Sequence, residues 1–404
     1  MAKSLWALLF AGVFLIGALI RISSPPEILR SPDEICYANF ASAAVANPWT
    51  AARDQAREFN SDPAEWIYPV PDRVAYYYSI AAVNALFNRP IIQSGVTLSV
   101  AASIVQLALV GLVGIRFFGR PAALASMAML SVCPEDLAMA RRVWADGLCG
   151  CVAMILLWLC MEIVSRRKAW AWWMAFWICG WYFMLLKEAC GIYFGFCVTG
   201  LAVQAWMRDH SWKQIIRISA GGLLAMGLGF TFLAWFCGGL STIAETIRHG
   251  AQSLALGDYA RLHQNGPWYS LPLGLWILSP FATAGCAVAF LAILFSGDLR
   301  RRDLVIGMGA IIFLTLAFAS MRMGLKNLRF IAFIIGPWYL MAGVGLTWLA
   351  GLPRKGLGSI AAACLLAILV AGSCWSDFER FQEFFVHRDI PDLDIRDIAA
   401  APFS

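Results

Sequence analysis

The stretch SLWALLFAGVFLIGALIRISSPPEILRSPDEICY (residues 4–37) runs from an uncharged apolar block through Arg21 and a Pro-Pro pair to two adjacent carboxylates. Residues 5–21 are close to the ~20 apolar residues that cross a bilayer as a helix. Asp33 and Glu34 come soon after that block ends. An acidic pair placed at the edge of a hydrocarbon core needs a reason, because such charges cost free energy wherever they face lipid.

Working outward, blocks of the same kind recur at about 96–115, 121–139, 145–164, 169–186, 189–207, 217–238, 271–295, 304–321, 330–350 and 357–375. With the first, these predict about eleven spans in an all-α integral membrane protein. The chain of 404 residues is 60% hydrophobic, 13% aromatic and 14% charged, with a mean hydropathy of +0.69. Those values exclude an ordinary water-soluble domain. Many of the 18 tryptophans stand near block ends, as in interfacial aromatic belts. The opening run with Lys3 reads as a signal-anchor, since Arg21 and two prolines replace a small-residue cleavage site.

Lys and Arg in the short connections set the orientation. With the N-terminus inside, the inside segments carry Lys3, Arg116 and Arg120, SRRK (165–168), Arg208 with Lys213 and Arg217, DLRRRD (298–303) and PRK (353–355). Every one of them is basic. The expected orientation is a cytoplasmic N-terminus and an external C-terminus; a bacterial inner (plasma) membrane is the expected location, and an endoplasmic reticulum enzyme with a lumenal site would show the same topology. The formal charge of +6 reads as this topology bias, with no nucleic-acid partner. The organisation expected is one polytopic unit over 1–375 and a short external tail over 376–404. External loops lie at about 22–95 and 239–270. Two juxtamembrane helices are expected in the first loop, 33–46 and 72–87. Ser31 is the candidate N-cap of the former, with Pro32 in its first turn and the acidic pair at its positive end.

Three short external connections break the charge rule. They hold Arg141 and Arg142, then Lys187 beside Glu188, then Arg322, Lys326 and Arg329. Snorkelling to lipid phosphates and local salt bridges would account for some of these cations. As a group they point to a phosphate-bearing lipid at the outer face. Asp146, at the outer end of the fourth span, either pairs with Arg142 one turn earlier or faces a wet cavity. Paired acids and cations at a lipid–water boundary suit transfer of a sugar from a lipid phosphate. A carboxylate takes the acceptor's proton, and cations stabilise the departing phosphate. The acid then lies across the sugar from the phosphate, which predicts inversion. The twelve cysteines fall mostly in apolar blocks, no CxxC occurs, and the four histidines are far apart, so no metal-ligand spacing stands out.

SPDEICYANFA (31–41) resembles the Asp-Glu-x-x-Tyr stretch in the first external loop of the GT-C fold glycosyltransferases. That superfamily includes the protein O-mannosyltransferases and the lipid A aminoarabinose transferases. YPVPDRVAYYYSIAAVNALF (68–87) is similar to the superfamily's second juxtamembrane helix. RRVWAD (141–146) is similar to its Arg-then-Asp step, and LLKEACGIYF (185–194) and KNLRF (326–330) to two further stretches. The resemblance implies Asp33 as catalytic base, supported by Glu34, with Asp146 positioning acceptor or donor. It implies Lys187 and Arg329 at the donor phosphate, with Lys326 and Arg322 behind. Arg142 and Glu188 accompany these as substrate-binding candidates, and Tyr37 either lines the site or packs its helix. Phe330 replaces a frequent tyrosine, YPVPDR departs from His-Pro-Pro, and a C-terminal acceptor-recognition domain is not expected.

The implied function is a polyprenyl-monophosphate-sugar-dependent glycosyltransferase acting on an acceptor hydroxyl or amine at the outer face. The acceptor would be a lipid, glycan or protein. No cofactor is expected, and a divalent metal is not favoured. Two alternatives stay open. One is a transporter or flippase of lipid-linked sugars, although no pseudo-symmetric halves are visible. The other is a polysaccharide ligase or polymerase using a pyrophosphate-linked donor through Arg248, His249, Arg261 and His263 of the 239–270 loop. That loop reads as one or two surface helices and is a candidate lid.

Overall fold

The protein is described by a computed structural model covering residues 2–24, 31–62, 69–165, 170–256, 266–295, 299–322, 326–351, 354–390 and 392–400. Arg261 and His263 of the late loop lie outside the described residues, as do residues 166–168 of the SRRK run, Asp298 and Pro353. The helices, in chain order, begin with α1 (Ala2–Ser23), α2 (Pro32–Ala46), α3 (Ala51–Ser61), α4 (Val74–Phe87), α5 (Ile91–Phe117), α6 (Arg120–Ser131) and α7 (Pro134–Ala140). They continue with α8 (Ala145–Ser165), α9 (Trp170–Met184), α10 (Glu188–Asp209), α11 (Trp212–Phe236) and α12 (Leu240–Leu256). The last are α13 (Ser270–Leu278), α14 (Pro280–Phe295), α15 (Leu299–Arg322), α16 (Ala332–Gly351), α17 (Arg354–Phe381) and α18 (Ile395–Ala400). The described residues form no strand; Asn327 and Asp394 make an isolated antiparallel bridge.

Among the described residues, eight helical stretches are long and apolar enough to cross a membrane, or up to ten if each of two bent pairs is one span. This is a multi-pass membrane protein. Three of the expected spans take another form. The described part of α9 has 15 residues, short of the ~20 of a straight crossing. The stretch expected as one span over 271–295 bends by 115° between α13 and α14, and α6–α7 bends by 54°. In both breaks a proline starts the second helix, Pro280 or Pro134, where it removes a backbone donor and disfavours helix in the residue before it.

The chain divides into two compact units. One comprises Met1–Pro25, Ala102–Ala140 and Pro267–Ser404. Its inner helix is α16, whose span is 89% buried, while α1 and α17 present most of their surface outward at 11% and 17% buried. Glycines permit the close packing of α16. A Cβ at Gly345 would stand 1.9 Å from the Gly285 carbonyl oxygen, and one at Gly343 2.1 Å from the Ser126 hydroxyl. Small residues of this kind let membrane helices approach where no hydrophobic force drives them together. Arg21, at the end of α1, is buried in this unit. Its guanidinium donates to the Ser103 hydroxyl, to the Gly17, Leu130 and Ser131 carbonyls and to the Asp136 carboxylate. All five of its donors are therefore used, which offsets the cost of burying the charge.

The same unit contains the segment expected as a short external tail. α17 continues to Phe381, followed by a π-helical turn over Gln382–His387 and then α18. Residues 393–395 lie along 326–328: the Leu328 amide donates to the Leu393 carbonyl at 3.0 Å, and Ile395 to Lys326 at 2.9 Å.

The second unit comprises Pro26–Ala101 and Arg141–Gly266. It contains both expected juxtamembrane helices, as α2 and α4, and a third, α3. That helix is amphipathic and carries Arg53, Asp54, Arg57 and Glu58. Its Asn60 amide donates to the Thr242 carbonyl of α12 at 2.9 Å, and Thr246 donates back to Asn60 at 3.1 Å. The described part of the late loop is thus one helix fastened to α3.

Candidate active site

The first turn of α2 explains SPDEICY locally. Ser31 is extended and caps the helix, Pro32 takes an early position where its missing N–H costs nothing, and Asp33 and Glu34 follow. The Glu34 carboxylate accepts from the Ser31 amide at 3.2 Å, the reciprocal arm of a capping box. Glu34 is fully buried and also accepts from Arg142 at 3.1 Å (Nε) and 2.9 Å (Nη2), and from the Val143 amide at 3.0 Å. The Arg142 guanidinium lies 4.4 Å from the centre of the Trp144 ring, and the Trp144 indole donates to the Ser31 hydroxyl at 3.1 Å. Residues 31–34 and 142–144 are therefore clasped from both sides. Asp33 is 9% exposed, against 0% for Glu34.

Asp146 opens α8 and is 3% exposed. Its ion-pair partner is Lys187, whose ammonium stands 2.5 Å from Oδ1. The alternative of a one-turn pair between Arg142 and Asp146 needs helix at 142, and α8 begins only at Ala145. The Lys187 backbone is extended where it caps α10. The same turn is held by the Ala75 amide, which donates to the Leu185 carbonyl at 3.0 Å. The Tyr76 phenol lies in the electrostatic field of both Asp146 and Glu34. Both ion pairs thus border one buried group.

A third contact was missed in the sequence. Arg73 caps α4 and is 2% exposed. It donates to both Glu188 carboxylate oxygens, at 3.2 Å and 3.0 Å from Nη2, and to the Tyr37 hydroxyl. Tyr37 is 1% exposed and meets Tyr76 edge-on at 4.7 Å. Asp72 is buried beside them. Burial, and after it the neighbouring Glu188, pushes its carboxyl well above the ordinary value near 3.8, against the pull of Arg73. The one available signal was the PDR triplet at 71–73, two charges inside an otherwise apolar stretch.

Of the expected site residues, Asp33, Glu34, Tyr37, Arg142, Asp146, Lys187 and Glu188 lie in this unit, assembled from three separated stretches. Arg322, Lys326 and Arg329 belong to the other unit. Arg322 ends α15, and its side chain lies outside the described part. Lys326 is half-buried, and Arg329 is 2% exposed in a tight turn over Leu328–Ile331 that Asn327 caps through the Arg329 amide at 3.1 Å. Arg248 donates to His249 at 3.3 Å on α12. Among the described residues, no group of three or more His, Cys, Asp or Glu side chains could hold a metal ion.

No protein-family profile matches the chain, and no curated protein sequence does. Solved structures do. ArnT from Cupriavidus metallidurans in the apo state aligns with a TM-score of 0.60 and 16% identity, over 94% of this chain and 76% of ArnT. The same protein bound to undecaprenyl phosphate gives 0.59 and 15% over 93% and 76%. The archaeal oligosaccharyltransferase AglB from Archaeoglobus fulgidus, in complex with an inhibitory peptide and a dolichol-phosphate, gives 0.63 and 10%. That alignment covers 95% of this chain but only 56% of AglB. The fold is that of the GT-C glycosyltransferases.

Proposed function

We propose that the protein is a membrane glycosyltransferase that moves a sugar from a polyprenyl-monophosphate donor to an acceptor hydroxyl or amine on the outer face. One observation carries this reading. The three stretches 31–37, 141–146 and 187–188, far apart in sequence, fold into one charged cluster in which Asp33, Glu34, Arg142, Asp146 and Lys187 are buried and Glu188 reaches the surface. ArnT in complex with undecaprenyl phosphate, and AglB with a dolichol-phosphate, support a lipid-linked donor.

In the reaction, an Asp33 carboxylate oxygen takes the proton of the acceptor as its oxygen or nitrogen attacks the anomeric carbon. The bond from that carbon to the phosphate oxygen breaks, and its electron pair leaves on the polyprenyl phosphate. Attack and departure on opposite faces invert the centre. Glu34 positions Asp33 through the cap and Arg142. Asp146 orients Lys187, which stabilises charge on the leaving phosphate, while Glu188 and Tyr37 are steadied by Arg73. Arg329, with Lys326 and Arg322, keeps the donor-phosphate role that the sequence resemblance gives it. Lys and Arg supply the positive charge, so the reading calls for no divalent cation. We place the protein in a bacterial inner membrane with its N-terminus cytoplasmic.

The test is single-turnover consumption of polyprenyl-monophosphate sugars by purified protein in lipid, with cell-envelope extract as acceptor pool and with and without chelator. Turnover abolished by Asp33→Asn with donor binding retained supports the reading. Donor that binds and crosses between leaflets, with no sugar leaving its carrier, refutes it in favour of a transporter.

A further inference from the structure

At the opposite end of α8 from Asp146, the ends of four helices surround a cavity of about 400 Å³. Its walls include Trp173 and Trp177 of α9, Leu201 and Gln204 of α10, and Gln214 and Arg217 of α11. All belong to the second unit. The two indoles stack at 5.7 Å and 28°. Gly221 lets Trp177 press against α11, since a Cβ there would stand 2.7 Å from the ring. Among the described residues no acidic side chain lines the cavity, and Arg217 is exposed at its rim.

The surroundings of the mouth indicate what it meets. Trp170 (75% exposed), Trp206 and Trp212 stand around this end, and Trp206 packs on Trp212 at 4.8 Å. Exposed tryptophans mark the headgroup level of a bilayer. Deeper along the same helices, Met174, Ile178, Val203 and Ile216 are exposed and apolar. The opening therefore lies where hydrocarbon gives way to headgroups, within reach of a lipid's phosphate and first methylenes.

We propose that this cavity is a binding site for an anionic phospholipid, distinct from the candidate active site and independent of the transferase reading. Arg217 takes the phosphate, with bidentate geometry available to its guanidinium. The Gln204 and Gln214 amides meet the glycerol and ester oxygens. The start of an acyl chain lies along Leu201 and the indoles. A volume of this size suits a headgroup with the head of one chain. Basic pockets between helix ends are a general means of binding acidic lipids.

The test uses full-length protein in phosphatidylcholine nanodiscs doped with phosphatidylglycerol, with bound lipid counted by native mass spectrometry. The expected result is one saturable phosphatidylglycerol, preferred over phosphatidylcholine. Arg217→Gln weakens it about fivefold, as loss of one surface cation predicts. Lys213→Gln, exposed and outside the cavity, weakens it less than Arg217→Gln does. Ala205→Trp, which fills the cavity, removes the retained lipid. The proposal is overturned by no headgroup preference, by equal loss in Lys213→Gln and Arg217→Gln, or by lipid retained in Ala205→Trp. Glycerol phosphate competing as well as the lipid would overturn it too, because the site would then belong to a soluble phosphate.

Discussion

Asp33 and Glu34 are neighbours of the same chemistry, yet the proposed function gives them different tasks, and substitution separates these. Glu34 is fully buried and accepts from the Arg142 guanidinium twice, from the Val143 amide and from the Ser31 amide. Glu34→Ala leaves the Arg142 charge buried without this carboxylate. Breaking a buried pair from one side costs about 3–5 kcal/mol. With an unfolding entropy of about 2.1 cal/mol/K per residue, that loss lowers the melting temperature of a 404-residue chain by about 4–6 °C. Glu34→Gln keeps the shape and part of the hydrogen bonding and falls between wild type and Glu34→Ala. Asp33→Asn, which keeps the side chain's size at a site 9% exposed, lowers melting by less than Glu34→Ala does. The assay is thermal unfolding in detergent followed by near-ultraviolet circular dichroism, with single-turnover transfer measured on the same samples. Asp33→Asn loses transfer with the smaller loss of stability; Glu34→Ala loses both. A Glu34→Ala protein that melts with the wild type refutes the clasp, and an Asp33→Asn protein that melts with Glu34→Ala refutes the division of labour.

Two further outcomes follow from the same cluster. For Asp146 and Lys187, Asp146→Asn and Lys187→Met each weaken donor binding, and the double variant loses less than the sum by about 1–3 kcal/mol of coupling; additive losses in a double-mutant cycle would show that the 2.5 Å pair is not shared in function. For Asp72, burial raises the folded-state value above the ordinary one near 3.8, so the folded state holds the proton more tightly and stability falls as pH rises from about 4 through the raised value. Asp72→Asn removes that slope, and its stability advantage over wild type should grow with pH in thermal melts; an advantage independent of pH would remove Asp72 as the source.

Much of the architecture was readable one residue at a time, because a lipid solvent imposes its rule locally. Every backbone polar group must be satisfied within its own segment, so apolar blocks become helices whatever surrounds them. The helices at 91–117, 145–165 and 332–351 appear where the runs predicted them. α2 was equally legible, since Ser31, Pro32 and the acidic pair are local capping chemistry. The breaks at Pro134 and Pro280 carried a local signal too. How far each bends the chain, 54° or 115°, depends on packing that no local pattern encodes.

Composition alone required that the buried charges have partners, since lone charges in an apolar interior cost too much to keep. Who partners whom was decided in three dimensions. Arg21 finds Asp136, Glu34 finds Arg142, Lys187 finds Asp146 and Arg73 finds Glu188, across separations of 41 to 115 residues. A sequence records the charge of each residue but not its distance to another far along the chain, and electrostatic pairing depends on that distance. The same holds for 393–395, part of the expected external tail, which lie along KNLRF through backbone bonds that any side chains could make. The residue types of the candidate site were thus set by the sequence, while its pairings, and the burial of Asp33 and Glu34 together, exist only once α2, α4, α8 and α10 have packed.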